Sequence, residues 1–195
     1  MIDMPVRSRG FSLLELMITI VVMAILLAIA LPSFRNVIHR NEVSSASNAL
    51  LASVSYARSE SITRSQLVSM CPSADGASCT STGTAFEPGW LVYTYPAGAA
   101  SANLAYSATD ATLLRAIPEQ SGVSIQALGN TVITFGQQGQ LVPSATPLKF
   151  ITCYRGGSSG VGESTTAAPG VQLNVNGSGG ATTTSLAAGA SCTPS

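Results

Sequence analysis

The chain has 195 residues and a formal net charge of zero, with nine basic and nine acidic side chains. This length is consistent with one folded domain plus an anchoring segment and argues against two globular domains. Charged residues make up only 9% of the chain, against roughly 25% in typical soluble domains. The remainder is rich in serine, threonine, glycine and alanine, which predicts a neutral, hydroxyl-rich surface of the kind common in extracellular bacterial proteins.

An apolar segment runs from Phe11 to Leu31, and its only charged residue is Glu15. As a helix rising about 1.5 Å per residue, a segment of this length can cross a hydrocarbon core of roughly 30 Å. An ionised carboxylate in lipid costs a few kcal/mol unless it is paired. We therefore expect Glu15 to have a positively charged partner.

A secretory signal peptide and an ordinary membrane anchor are the alternative interpretations of this segment. Arg7 and Arg9 precede the apolar run, as in a signal peptide. However, the run is longer than the usual apolar region of about 7–15 residues, and no small-x-small cleavage site follows it. A plain anchor would leave Glu15 unexplained. The two arginines predict a cytoplasmic N-terminus.

The motif GFSLLE at residues 10–15, after a short basic leader, resembles the class III signal of type IV pilins and type II secretion pseudopilins. The resemblance implies that a prepilin peptidase cuts between Gly10 and Phe11 and methylates the new amino group of Phe11. It also implies that Glu15 neutralises the N-terminal ammonium of a neighbouring subunit in a filament. Pro32 falls where this family commonly has a helix-kinking proline.

Residues 33–65 form a second helical pattern with apolar residues at three- and four-residue steps. The apolar positions are Phe34, Val37, Ile38, Val43, Ala46, Leu50, Val54 and Ala57. We expect the membrane helix to continue as an amphipathic helix whose apolar side packs on a sheet, with a bend at Pro32. His39, the single histidine, is expected to be a surface polar residue rather than a catalytic one.

Short apolar runs separated by turn residues predict strands over the rest of the chain. The predicted strands are 66–70, 89–95, 112–117, 124–128, 131–135, 148–153 and 171–175. Trp90 and the three residues after it are expected in the core. Segments 96–110 and 156–170 are small, polar and rich in glycine, so we expect mobile loops. One long helix followed by strands predicts an α+β fold, with the helix packed on an antiparallel β-sheet domain.

All four cysteines lie beyond the apolar segment, on the side that the two arginines predict to be outside the cytoplasm. Disulfides persist in that compartment, and an even number of cysteines favours them. There is no Cys-x-x-Cys spacing for a zinc site. Four cysteines allow three connectivities. We favour Cys71 with Cys79, closing the turn between them, and Cys153 with Cys192, pinning the C-terminal tail.

Three further stretches narrow the resemblance to the GspH/FimT branch of the pilin superfamily. They are LASVSYARSESI at 51–62, CPS at 71–73 and GWLV at 89–92, and the likeness extends to about Cys153. It implies four parts: a leader (1–10), a transmembrane or filament-core helix (11–31), its amphipathic continuation (32–65) and a periplasmic β-rich domain (66–195). The chain would lie in the bacterial inner membrane, crossing it once, and then in a pilus or pseudopilus.

The resemblance implies a structural subunit, a minor pilin that helps to prime a type IV pilus. The implied partners are other minor and major pilins or pseudopilins, the prepilin peptidase and the inner-membrane assembly platform. A GspH-type minor pseudopilin of type II secretion is the alternative, and a DNA-binding minor pilin for natural transformation is a second one. Family members that bind DNA use a basic motif near the C-terminus. Here residues 171–180 contain no lysine or arginine and the nearest cation is Arg155, so DNA binding is not expected.

An enzyme is disfavoured, because the sequence contains no phosphate loop and no paired histidines. Neither a metal nor a cofactor is expected.

Overall fold

The computed structural model describes residues 10–81, 83–96, 98, 102–129, 132–143, 147–157 and 160–195, apart from the side chain of Pro32. These residues form one helix and eight strands. The elements are α1 (Leu13–Arg64), β1 (Val68–Pro72), β2 (Trp90–Thr94), β3 (Thr112–Ile117), β4 (Val123–Ala127), β5 (Ile133–Phe135), β6 (Leu148–Tyr154), β7 (Val171–Val175) and β8 (Ala181–Ser185). The chain divides between Val37 and Ile38 into two compact units, called here the anchor unit and the head unit.

In the anchor unit, α1 begins with a side-chain cap. The backbone N–H of Glu15 donates to the Ser12 hydroxyl at 3.2 Å, and the N–H of Leu16 donates to the Ser12 carbonyl at 3.1 Å. Ser12 is thus the N-cap residue, and it satisfies a donor that the first turn would leave unpaired. Thr19 is the one other polar residue in the apolar run, and its hydroxyl donates to the Leu16 carbonyl at 2.8 Å.

The apolar side chains of the anchor unit have no partner within the described residues. The most hydrophobic 18-residue window of the helix has a mean hydropathy of 2.8, and none of it is buried. By length and composition this helix can cross a membrane.

In the head unit, α1 buries an apolar stripe and ends in a Schellman turn. The buried apolar side chains of this stripe follow each other at steps of three, four, four and three residues; they are Val43, Ala46, Leu50, Val54 and Ala57. Past the last helical residue, Ser65 adopts a left-handed φ of 52°. The N–H of Gln66 donates to the Ser61 carbonyl, and the N–H of Ser65 donates to the Ile62 carbonyl, both at 3.3 Å. These are the two bonds that define the motif.

The strands form two four-stranded sheets, with orders β3-β2-β1-β5 and β4-β6-β7-β8. All neighbouring strands are antiparallel. The helix stripe and the inner faces of both sheets share one core, in which Leu50, Trp90 and Phe150 are completely buried. The α+β fold predicted from the sequence is confirmed, with the strands divided between two sheets.

The strand predictions differ from the structure in bounds and in number. The predicted strand at 66–70 begins two residues later, at Val68, because Gln66 still belongs to the helix-ending turn. The predicted strand at 131–135 is seen as β5 from Ile133, and residue 131 lies outside the described residues. Strand β8 was not predicted. His39 is not a simple surface residue, since its ring stacks on Tyr154 with centroids 3.8 Å apart.

Candidate assembly site

The residues implicated in processing and assembly lie together at the start of α1. Gly10 and Phe11 precede the helix, and the Phe11 side chain is 80% exposed. Glu15 is exposed in the first turn, where the positive end of the helix dipole favours a carboxylate. The Ser12 cap fixes this turn, so the predicted cleavage position and the acidic side chain are separated by little more than one helical turn. The roles predicted for Gly10, Phe11 and Glu15 each involve a second protein.

Pro32 lies inside α1, and the helix is continuous on both sides of it. A proline has no backbone N–H, so this position lacks one helical hydrogen bond. The bend predicted there stays a prediction.

Two disulfides fasten the head unit, Cys71 to Cys79 and Cys153 to Cys192, with sequence separations of 8 and 39 residues. The second one holds the last residues of the chain against β6, where Leu186 packs beside it. The ammonium group of Lys149, also on β6, donates to the Ser195 carbonyl. These contacts hold the end of the chain over the outer face of the second sheet.

The first disulfide closes a loop organised around the carboxylate of Asp75. That carboxylate accepts hydrogen bonds from the Ser78 hydroxyl at 2.6 Å and from the N–H groups of Ala77 and Ser78 at 2.9 and 2.8 Å. The Ser73 hydroxyl donates a further bond at 3.0 Å. Above all the Ser78 hydroxyl, and then the two N–H groups, hold the pKa of Asp75 well below its usual range. The charge of Asp75 therefore stabilises the loop through these hydrogen bonds. No cluster of metal-ligating side chains occurs among the described residues.

Segment 102–111 packs on the outer face of β2 through two tyrosines. The Tyr93 hydroxyl donates to the Leu104 carbonyl at 2.7 Å, and the Tyr95 hydroxyl donates to the Ala105 carbonyl at 2.5 Å. Burial raises the pKa of Tyr93, and so does the neighbouring Tyr95. The described part of the loop expected to be mobile is therefore fastened to the sheet.

A buried ion pair that sequence reasoning missed joins Glu87 to Arg155. The Arg155 guanidinium donates to Glu87 at 2.9 Å, and the two side chains are only 14% and 9% exposed. The other carboxylate oxygen accepts the N–H of Ile125 at 3.1 Å. The partners are 68 residues apart in sequence, so no local pattern could reveal them. Arg155 is the cation nearest in sequence to residues 171–180, which correspond to the DNA-binding motif of some family members, and it is paired with an internal partner.

The Ala-Arg-Ser-Glu element on α1 is partly structural rather than simply exposed. Arg58 is half-buried, and its Nε donates to the Gly139 carbonyl at 3.1 Å, which fastens the helix to the loop after β5. Glu60 pairs with Arg64 one turn later on the outer side. An ideal Cβ at Gly179 would collide with the Gly139 carbonyl, so this close approach requires glycine.

A family model described as type II transport protein GspH matches residues 46–179, which is most of the head unit. The chain belongs to the GspH family. A model for the prokaryotic N-terminal methylation motif matches residues 6–31, which include the whole of the proposed processing site. A search of curated proteins finds no match.

Two crystal forms of the type IV minor pilin FimU from Pseudomonas aeruginosa resemble this structure. The form in space group P21 has a TM-score of 0.52 and 21% identity, over 76% of this chain and 96% of FimU. The form in P65 has a TM-score of 0.49 and 20% identity, over 74% and 98%. At this identity the first comparison shows a shared fold. Family, motif and fold together identify a GspH/FimT-like member of the type IV pilin superfamily, a group of structural subunits anchored through an apolar N-terminal helix.

Proposed function

We propose that the chain is a minor pilin that is processed by a prepilin peptidase and helps to prime a type IV pilus. Cleavage between Gly10 and Phe11 frees an amino group that is methylated, while the head unit lies in the periplasm. The mature helix then leaves the inner membrane for the base of a growing filament, through the assembly platform. There it packs among the helices of other minor and major pilins.

The observation that carries this proposal is an apolar helix whose side chains have no partner among the described residues, with one carboxylate in its first turn. The large apolar residues from Leu13 to Leu31 are all at least half exposed. They therefore need lipid or other helices around them. Glu15 in either environment is strongly disfavoured without a positive partner. The N-terminal ammonium of a neighbour would supply that charge and would fix the register between subunits.

A GspH-type minor pseudopilin of the type II secretion system is the second candidate. The matching family model is named for type II transport, which favours this alternative, whereas the structural likeness is to a type IV minor pilin. Both machines would use the same leader, helix and carboxylate. The deletion phenotype separates them: lost pili and twitching with normal exoprotein secretion supports the pilus, and the reverse pattern supports the pseudopilus.

DNA uptake is the third readout in the same deletion strain. No lysine or arginine follows Arg155 in the sequence, and that arginine is paired with Glu87. A DNA site of the non-specific kind needs several cations to neutralise phosphates. We therefore expect any loss of DNA uptake to follow the loss of pili. A fall in uptake alone, with pili and secretion intact, would favour the DNA-binding alternative.

Glu15→Ala and Glu15→Leu test the pairing directly. We expect each variant to reach the membrane at normal levels but to be incorporated poorly into sheared surface filaments, because the register-setting charge is gone. Thr19→Val is the matched control, since it removes another polar group from the same apolar run, and the Thr19 hydroxyl bonds to the Leu16 carbonyl within its own helix. Normal incorporation of the Glu15 variants would refute the pairing.

A further inference from the structure

Strand β8 lies at an open edge of the second sheet with half of its backbone groups turned outward. Just beyond its two ends, Asn176 donates to the Gly180 carbonyl and Leu186 donates to the Gly170 carbonyl. In an antiparallel ladder hydrogen-bonded pairs alternate with non-bonded ones, and the register runs without a shift from Ala181 to Ser185. Thr182 and Thr184 therefore bond to β7. The N–H and C=O groups of Ala181, Thr183 and Ser185 point away from it.

The edges at β4 and β5 are covered by other segments of the chain. At β4, Phe86 donates to the Ile125 carbonyl, and the N–H of Ala127 donates to Thr84. At β5, the N–H of Val142 donates to the Thr134 carbonyl. Backbone groups of these two edges that would pair with a further strand are therefore already bonded within the chain.

The edge at β3 has the features by which proteins prevent strand pairing. Its pairing with β2 is shifted between Val92 and Tyr93, it contains Arg115, and Pro118 follows it. A bulge, a charge and a proline each discourage edge-to-edge association. In contrast, β8 (ATTTS) has a regular register and contains no charge and no proline. Among the four sheet edges in the described residues, β8 is the one that is neither covered nor protected.

A groove between β8 and the head-unit part of α1 gives an added strand room for its side chains. It consists of a cavity of about 350 Å³ at the Ala181 end and one of about 220 Å³ at the Ser185 end. The first is lined partly by Leu51 and Ile62 of α1, and the second by serines, Asn48 and Thr183. The single charge in the lining, Arg58, already binds the Gly139 carbonyl. An incoming strand with charged side chains on this face would therefore leave them unpaired.

We propose that β8 is a docking edge for an extended, uncharged strand of another pilin subunit of the filament. The added strand pairs with the outward N–H and C=O groups of Ala181, Thr183 and Ser185, and extends the second sheet by β-augmentation. Its inward side chains are small and polar beside Ser185 and apolar beside Leu51. That the partner is a filament subunit rests on the proposed function, whereas the chemistry of the edge does not.

The test uses the full chain, expressed in the deletion strain of its host, with two variants at one position. Thr183→Pro removes an N–H that points away from β7, so the β7–β8 ladder is kept. Thr183→Lys keeps the backbone donor but places a long charged side chain at the groove. The controls are Thr183→Val, which keeps the shape and the donor, and Thr184→Lys, which puts the same charge on the opposite face.

The readouts are surface filament number and a photocrosslink from p-benzoyl-phenylalanine at position 183. We expect about tenfold fewer filaments for Thr183→Pro, as for the loss of one or two interfacial hydrogen bonds. A comparable fall is expected for Thr183→Lys, because its charge would be left unpaired between the groove and the added strand. Both controls are expected to give normal numbers. The crosslink is expected to map to a strand of another subunit that carries a methylation-motif helix. A crosslink only between copies of this chain, or only to a helix, would overturn the proposal.

The proposed function and the docking edge can be refuted separately. If the deletion strain makes normal pili, the proposed function is wrong. If the deletion abolishes pili but Thr183→Pro and Thr183→Lys restore them as well as the native chain does, the docking edge alone is wrong. Equal defects in Thr183→Lys and Thr184→Lys would also overturn it, because the effect would then belong to the added charge. Native disulfides and unchanged fluorescence of Trp90 serve as the check on folding.

Discussion

Replacement of Glu87 by glutamine tests how the head unit is held together. At 2.9 Å the attraction between the unit charges of Glu87 and Arg155 is about 6 kcal/mol at an effective dielectric constant of about 20, before desolvation is subtracted. Removing one partner of such a buried pair typically costs about 3–5 kcal/mol, because the other charge is left uncompensated. Glutamine keeps an acceptor for the N–H of Ile125. We therefore expect Glu87→Gln to lower the free energy of unfolding by about 3 kcal/mol.

The assay is urea unfolding of the full chain in detergent micelles, followed by fluorescence. Trp90 is the single tryptophan and is completely buried in the head unit, so it reports on that unit without labelling. Glu60→Gln is the matched control, because its pair with Arg64 is exposed and is expected to contribute less than about 1 kcal/mol. A double-mutant cycle with Arg155→Met isolates the pairwise energy. A loss in Glu87→Gln as small as that in Glu60→Gln would refute the reasoning.

Three further predictions concern the same head unit and the same fluorescence assay. Leu50→Ala empties a completely buried position and is expected to cost about 2–5 kcal/mol, so a loss below 1 kcal/mol would contradict the described core. Replacing Cys153 and Cys192 by alanine opens the loop of separation 39 and is expected to cost about 4 kcal/mol, more than the roughly 2.5 kcal/mol for the other, shorter-loop disulfide; the reverse order would contradict this. Asp75→Asn is expected to lower the melting temperature at pH 7, and the difference from the native chain is expected to shrink below about pH 4. The reason is that the pKa of Asp75 is lower in the folded chain than in the unfolded one. The resulting stabilisation is fully present above the pKa of the unfolded state, and it is lost as the pH falls from that pKa towards the pKa of the folded state. A difference independent of pH would contradict the role of the charge.

Local sequence patterns were sufficient for the helix and for most strands. The three- and four-residue spacing from Val43 to Ala57 is a strong signal because one helix face is buried over many turns. Runs such as Trp90 to Tyr93 are entirely buried, and a continuous apolar run of this kind predicts core residues whichever way the strands are arranged. The motif that predicts processing is equally local, since its basic leader, Gly10 and Glu15 all lie within the first 15 residues.

The features that sequence reasoning missed depend on contacts that form only in the folded chain. Strand β8 lacks an apolar side because the four residues after Ala181 are all exposed, so the alternation that marks a half-buried strand is absent. The one available signal was its run of threonines after two glycines, a β-prone composition following a turn. The Glu87–Arg155 pair spans 68 residues. The stacking of His39 on Tyr154 joins the helix to β6, which no local pattern connects.

The most direct test of the central claim is mass spectrometry of this chain recovered from surface filaments sheared off cells. We expect the chain to be present there, with residues 1–10 removed and with Phe11 as its first residue, carrying a methylated amino group. Recovery from the membrane fraction alone, or recovery from filaments with the leader still attached, would contradict the claim.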